Sequence, residues 1–171
     1  MHDAIPASLT LARRVLSILI KLNVLMGVLI SALFIASLIN GEWVMRALGA
    51  QPDPTLHMGM RTIMVIGICS VPLVNIVLTR LQAMVDTVGA GNAFVPENAE
   101  RLQTIAWTAL LLELLHLVVG AIAKGVSSPS HPLDINWSFS FTPWLAVLLL
   151  FVLARVFEEG ARMREELEGT V

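Results

Sequence analysis

The stretch Ile105-Ala106-Trp107-Thr108-Ala109-Leu110-Leu111-Leu112-Glu113-Leu114-Leu115-His116-Leu117-Val118-Val119-Gly120-Ala121-Ile122-Ala123 holds only two ionisable side chains, Glu113 and His116. A helix rises 1.5 Å per residue, so about 20 apolar residues cross a hydrocarbon core of roughly 30 Å. Three other stretches have the same character. Leu22 to Ile39 is uncharged and is extended backwards by Val15 to Lys21, Ile63 to Thr79 is charge-free, and Phe141 to Phe157 carries only Arg155. Lipid offers the backbone no hydrogen-bond partners, so all four read as helices. The expected architecture is an all-α membrane protein, a four-helix transmembrane bundle in one domain, 1–171, with spans at about 15–39, 60–79, 105–123 and 141–157. The fourth span rests on a short clean core, Leu145 to Ala154, which Arg155 lengthens by snorkelling towards the headgroups. The first stretch is too long for an ordinary signal-peptide core and no clear cleavage site follows it, so it is expected to be retained.

Composition agrees. The 171 residues are 56% hydrophobic and 14% charged, against about a quarter charged in soluble domains. The net charge of −2 offers no basic face for direct nucleic-acid binding. Cys69 is the single cysteine, which excludes an internal disulfide and a cysteine-rich metal site. It reads as a small buried apolar residue. No nucleophile–base pair, phosphate loop or zinc signature is present, so neither an enzyme nor a bound cofactor is expected.

Orientation follows from lysine and arginine near the helix ends. Eight lie in the N-terminal segment, the middle connection and the C-terminal tail, against three, Arg46, Arg61 and Lys124, in the first and third connections. The expected protein is therefore a multi-pass protein of the bacterial cytoplasmic membrane, its partner the lipid bilayer, with both termini in the cytoplasm. Trp43, Trp137 and Trp144 then fall at the outer interface and Trp107 at the inner one.

The first outer connection, Asn40 to Met58, reads as an irregular loop around one short helix. In the second, Ile135, Trp137, Phe139 and Phe141 alternate with polar residues. That is the period of a short extended segment, or of an interfacial segment dipping its aromatics into the headgroups. In the middle connection Leu78, Leu81, Met84, Val85 and Val88 keep helical spacing past Arg80, until Gly89, Gly91 and Asn92 stop it. Pro96 suits the first turn of the next helix, with Glu97 and Glu100 at its positive end. The result is a cytoplasmic helical hairpin extension between spans two and three. The tail from Glu158 to Glu168 is helical in pattern, with Glu158 placed to pair with Arg162.

Two sets of intramembrane residues are candidates for chemistry. Glu113, mid-span, and His116, one turn on, share a helix face, and a charge at that depth costs from about 3 kcal/mol upward. Glu-x-x-His is the spacing of a di-iron helix, but that site needs a second such helix and two more acids, so no metal is expected. A structural role and a functional proton or cation site remain open. Asn23, Asn75 and Arg155 all fall within about two turns of the cytoplasmic interface. They read as helix-to-helix glue or as the lining of a small polar pocket below Glu113. Ser31, Ala32 and Ala36 allow close helix packing.

Two segments carry a resemblance. The first, from Gly91, holds Asn92, Phe94, Pro96, Asn98, Arg101 and Leu102 and ends in Ile105-Ala106-Trp107. The second, from Val156 to Glu166, holds Glu158, Gly160, Glu165 and Glu166 and closes on Gly169-Thr170-Val171. Together they resemble a family of small bacterial membrane proteins with four spans and no assigned function, over nearly the whole chain. The family pattern has proline at the position of Ala93 and serine or threonine at that of Val95, whose hydroxyl would cap the helix starting at Pro96. Without it, Asn92 or water is the expected cap. The resemblance further implies a small helix-turn-helix regulator encoded alongside. The favoured expectation is thus a regulatory or interaction protein acting through its cytoplasmic face, with homo-oligomers open. The alternative is a proton- or cation-linked transport module centred on Glu113 and His116.

Overall fold

The computed structural model describes residues 7–47, 54–126 and 140–168, and every regular element among them is a helix. These are α1 (Ala7–Ile39), α2 (Gly41–Ala47), α3 (Pro54–Gly89), α4 (Pro96–Val126) and α5 (Thr142–Glu168). The extended segment expected before Phe141 lies outside the described residues.

Among the described residues three helices are long and apolar enough to cross a membrane: Ser8–Ile39, Pro54–Gly89 and Pro96–Gly125. α3 has 36 residues, which at 1.5 Å each makes about 54 Å, well beyond the roughly 30 Å of a hydrocarbon core. The fourth expected span falls in α5, whose uninterrupted apolar run is short because Arg155, Glu158 and Glu159 follow Ala154 within two turns.

The packing order is α1 on α3, α3 on α4 and α4 on α5, with α2 folded against α1. α5 makes no comparable contact with α1, so among the described residues the helices form an open row, not a closed four-helix bundle. Successive long helices run in opposite directions. The start of α1, the α3–α4 turn and the end of α5 therefore share one end of the molecule, the turn end: Arg13 pairs with Asp86 at 3.3 Å and Gln82 donates to Ser17 at 3.2 Å.

An open row buries little. Leu22, Leu25 and Leu29 on α1 are exposed, as expected of side chains solvated by lipid, and Leu145, Leu148 and Leu149 on α5 are exposed too. Cys69, expected to be buried, is also exposed, because α3 turns that face away from both neighbours. Contacts between helices run through small residues. Val147, Ala154 and Ala161 recur every seven residues as the buried stripe of α5, and Ala99 and Ala106 do the same on α4. α1 meets α3 closely at Gly27, where a Cβ would lie 2.9 Å from Val71 Cγ1. α3 continues through Pro72, although proline removes one helix hydrogen bond. Asn23 lends its side-chain amide to the Val71 carbonyl at 2.9 Å beside that point.

The first connection contains the expected short helix, α2, whose start is capped by Asn40 accepting from the Trp43 N–H at 3.1 Å. α3 begins at Pro54, earlier than the hydropathy suggests, with proline in the first turn. Val44 and Met45 of α2 and Leu56 of α3 are buried here.

Candidate functional site

The most specific construction lies at the turn end. α3 stops in a Schellman motif: the Gly91 N–H donates to Val88 O and the Asn92 N–H to Thr87 O, both at 3.0 Å. Gly91 sits at φ +82°, the left-handed region that glycine enters without the Cβ penalty. The chain then turns back into α4, and Asn98 fastens the turn from inside. Fully buried, it donates to the Ala93 carbonyl at 2.9 Å and accepts from Thr87 at 3.0 Å and from Arg101 at 2.7 Å. Arg101 also reaches the Ala83 carbonyl at 3.4 Å. Leu102 is buried one turn on.

The turn seats on α5. Phe94 packs on Phe157 with ring centroids 5.1 Å apart, and its ring covers Gly160, where a Cβ would lie 2.8 Å from Phe94 Cδ1. Asn92 accepts from Arg164 at 3.3 Å, so its side-chain oxygen is used across the junction and not, as expected, as the cap of α4. The first turn of α4 is closed by the Val95 carbonyl accepting from the Asn98 N–H at 3.0 Å. Trp107 meets Phe151 edge-on at 5.1 Å further along the same interface. The two signature segments, about sixty residues apart in sequence, thus form one structure.

The family model for "Protein of unknown function (DUF2975)" matches residues 23–171. The chain belongs to the DUF2975 family. No curated protein and no solved structure matches it. The family match takes in both segments of the junction.

On α5, Arg155 pairs with Glu158 at 2.7 Å, and Arg162 pairs with Glu159 at 2.7 Å and Glu166 at 3.7 Å. The expected Glu158–Arg162 pair is replaced because Arg155 takes Glu158 one turn earlier. All these groups are mostly exposed, so the pairs contribute at most about 1 kcal/mol each. Glu165 is exposed at the edge of the α4–α5 interface.

The intramembrane candidates are not brought together. Asn23 bridges α1 and α3 as helix-to-helix glue, while Asn75 on α3 is part-buried and its buried side-chain oxygen has no hydrogen-bond partner among the described residues. Arg155 stands on α5, which packs on α4 and makes no comparable contact with α1 or α3, so among the described residues these three line no common pocket. Glu113 is half-buried and His116 exposed on α4. Among the described residues no three His, Cys, Asp or Glu side chains are grouped to hold a metal ion.

Sequence reasoning missed a second polar cluster at the opposite end. Ser37, 2% exposed, accepts from Arg61 Nε at 3.1 Å, and its backbone carbonyl accepts from Arg61 Nη2. Ser37 Oγ also lies 3.3 Å from His57 Nε2. A Cβ on Gly41 would overlap the His57 ring. Arg61, expected in the first connection, lies inside α3. The available signal was its i+4 spacing from His57, which puts both on one helix face opposite a serine at the end of α1.

Proposed function

We propose that this DUF2975 protein is a regulatory or interaction partner in the bacterial cytoplasmic membrane, acting through its turn end, which faces the cytoplasm. The supporting observation is the docked junction itself. A fully buried asparagine, a glycine under an aromatic ring and a cross-helix Asn–Arg contact all fix surface shape at that end. Lipid would not require such detail there, whereas a protein reader of that surface would. In this reading α5 is the fourth span, Arg155 lies at its cytoplasmic edge, and the ends of α3 and α4 project as a hairpin. The shared end of the α1 start and the α5 end supports placing both termini in the cytoplasm, as does the excess of arginine and lysine there.

The partner of this reading is a small helix-turn-helix regulator encoded beside the gene. The test is a titration of that regulator onto the full chain in nanodiscs, with Phe94→Ala beside it. Saturable binding that Phe94→Ala weakens supports the proposal, and absence of binding to the wild-type chain overturns it.

The second reading, a proton- or cation-linked module at Glu113 and His116, has one observation in its favour. Glu113 continues the seven-residue stripe of Ala99 and Ala106, so it stays on the packed face of α4. Ion flux in proteoliposomes that Glu113→Gln abolishes would carry it, and equal flux with both chains would remove it.

A further inference from the structure

The α4–α5 interface opens at the turn end into a groove of about 590 Å³. Its α5 wall runs from Phe151 to Glu165, which at 1.5 Å per residue is about 21 Å, or four helical turns. Its floor is made of small side chains that are themselves buried: Ala99, Ala154 and Ala161 at 8%, 7% and 3% exposed. These alanines already pack α4 on α5, and their small size leaves the cleft above them deep, so the groove has the length and depth of a site for a helix.

Charge decides which helix. Two arginines and three glutamates line the groove, but the arginines are already engaged: Arg155 by Glu158, and Arg162 by Glu159 and Glu166. Among the described residues Glu100 and Glu165, on opposite walls, belong to no ion pair. The uncompensated charge at the rim is therefore negative on both sides. An anionic lipid headgroup would be repelled there, although the cytoplasmic leaflet is rich in such lipids. We infer that the groove binds a basic amphipathic helix of a protein partner, with its small apolar face on the alanine floor and lysine or arginine against Glu100 and Glu165. This rests on the reading of the turn end as a cytoplasmic interaction surface, and it names where on that surface the partner sits and what chemistry it presents.

The test uses the full chain in phosphatidylcholine nanodiscs, with empty nanodiscs as blank. The probe is a fluorescent synthetic helix with an alanine–leucine face and lysine flanks, beside a twin with glutamate in place of every lysine. The lysine helix is expected to bind and the glutamate twin to bind at least tenfold more weakly. Glu100→Gln with Glu165→Gln should weaken the lysine helix about tenfold, two exposed pairs being lost. Glu97→Gln, an exposed acid outside the groove, should leave it unchanged. Gln103→Trp, which fills the groove from an exposed position, should block it. Equal binding of the two peptides, or indifference to the Glu100/Glu165 change, overturns the inference. Binding that appears only when phosphatidylglycerol is added also overturns it, because the probe is then held by lipid. If the adjacent regulator binds but ignores both the Gln103→Trp and the double glutamine changes, the groove assignment falls while the interaction reading stands. If the lysine helix binds in the groove and the regulator does not bind at all, the groove stands and the regulator reading falls.

Discussion

Replacing Asn98 with alanine should release the α3–α4 turn from the inside. The side chain makes two neutral hydrogen bonds, with Ala93 O and Thr87 Oγ1, and accepts one from the Arg101 guanidinium. At about 1 kcal/mol for each neutral bond and about 2 kcal/mol for the charged one, the loss is roughly 4 kcal/mol. Asn98 is fully buried, so little of that is recovered from solvent unless the turn opens. Asn98→Asp keeps the oxygen that accepts from Thr87 and Arg101 but sets a second oxygen against the Ala93 carbonyl; the charge facing Arg101 offsets part of that, so it should cost less, about 2–3 kcal/mol. The assay is amide hydrogen exchange in nanodiscs, read over Thr87 to Arg101. A local loss of about 4 kcal/mol corresponds to exchange up to about a thousandfold faster. The span around Gly27 and Val71 should keep its wild-type rate. Exchange of the turn within fivefold of wild type in Asn98→Ala would refute the reasoning, because the buried network would then be holding nothing.

Gly160→Ala should cost about 1–3 kcal/mol in thermal unfolding, since the new Cβ meets the Phe94 ring, and adding Phe94→Ala should recover part of that loss. Strict additivity of the two changes would mean that the ring does not cover Gly160. Gly91→Ala should cost about 1–2 kcal/mol through backbone strain alone, because open space surrounds it; the check is the same unfolding measurement, with Gly91→Asn falling between. Ser37→Ala should destabilise by about 1–3 kcal/mol by leaving Arg61 and His57 without their shared hydroxyl, and an unchanged melting temperature would remove the Ser37–Arg61–His57 clasp from the account.

Hydropathy made the helices legible because the cost of an open backbone in lipid leaves few other solutions. The turn was also legible: Gly89, Gly91 and Asn92 mark a helix stop and Pro96 a helix start, and the chain uses Gly91 and Pro96 in those roles. Helix-to-helix order was not legible. A closed bundle and an open row present the same apolar stretches, and only the seven-residue stripes of small residues on α4 and α5 hint at which faces pair. That is also why Cys69 is exposed and not buried: an open row leaves that face of α3 without a neighbour. The site residues were legible as segments and not as partners. Nothing in the spacing of Asn92 and Arg164, or of Phe94 and Gly160, says that they meet, because that depends on how α5 packs along α4 before the turn reaches it.

The account stands on one claim, that the two family segments form a single docked surface on the cytoplasmic side. The direct measurement is cross-linking of Asn92→Cys with Arg164→Cys in a Cys69→Ala background, using a short membrane-permeant bis-maleimide on whole cells, with and without prior blocking by a membrane-impermeant maleimide. The account predicts an efficient intramolecular cross-link that external blocking does not prevent until the membrane is opened. Absence of the cross-link, or its loss on blocking intact cells, would contradict it.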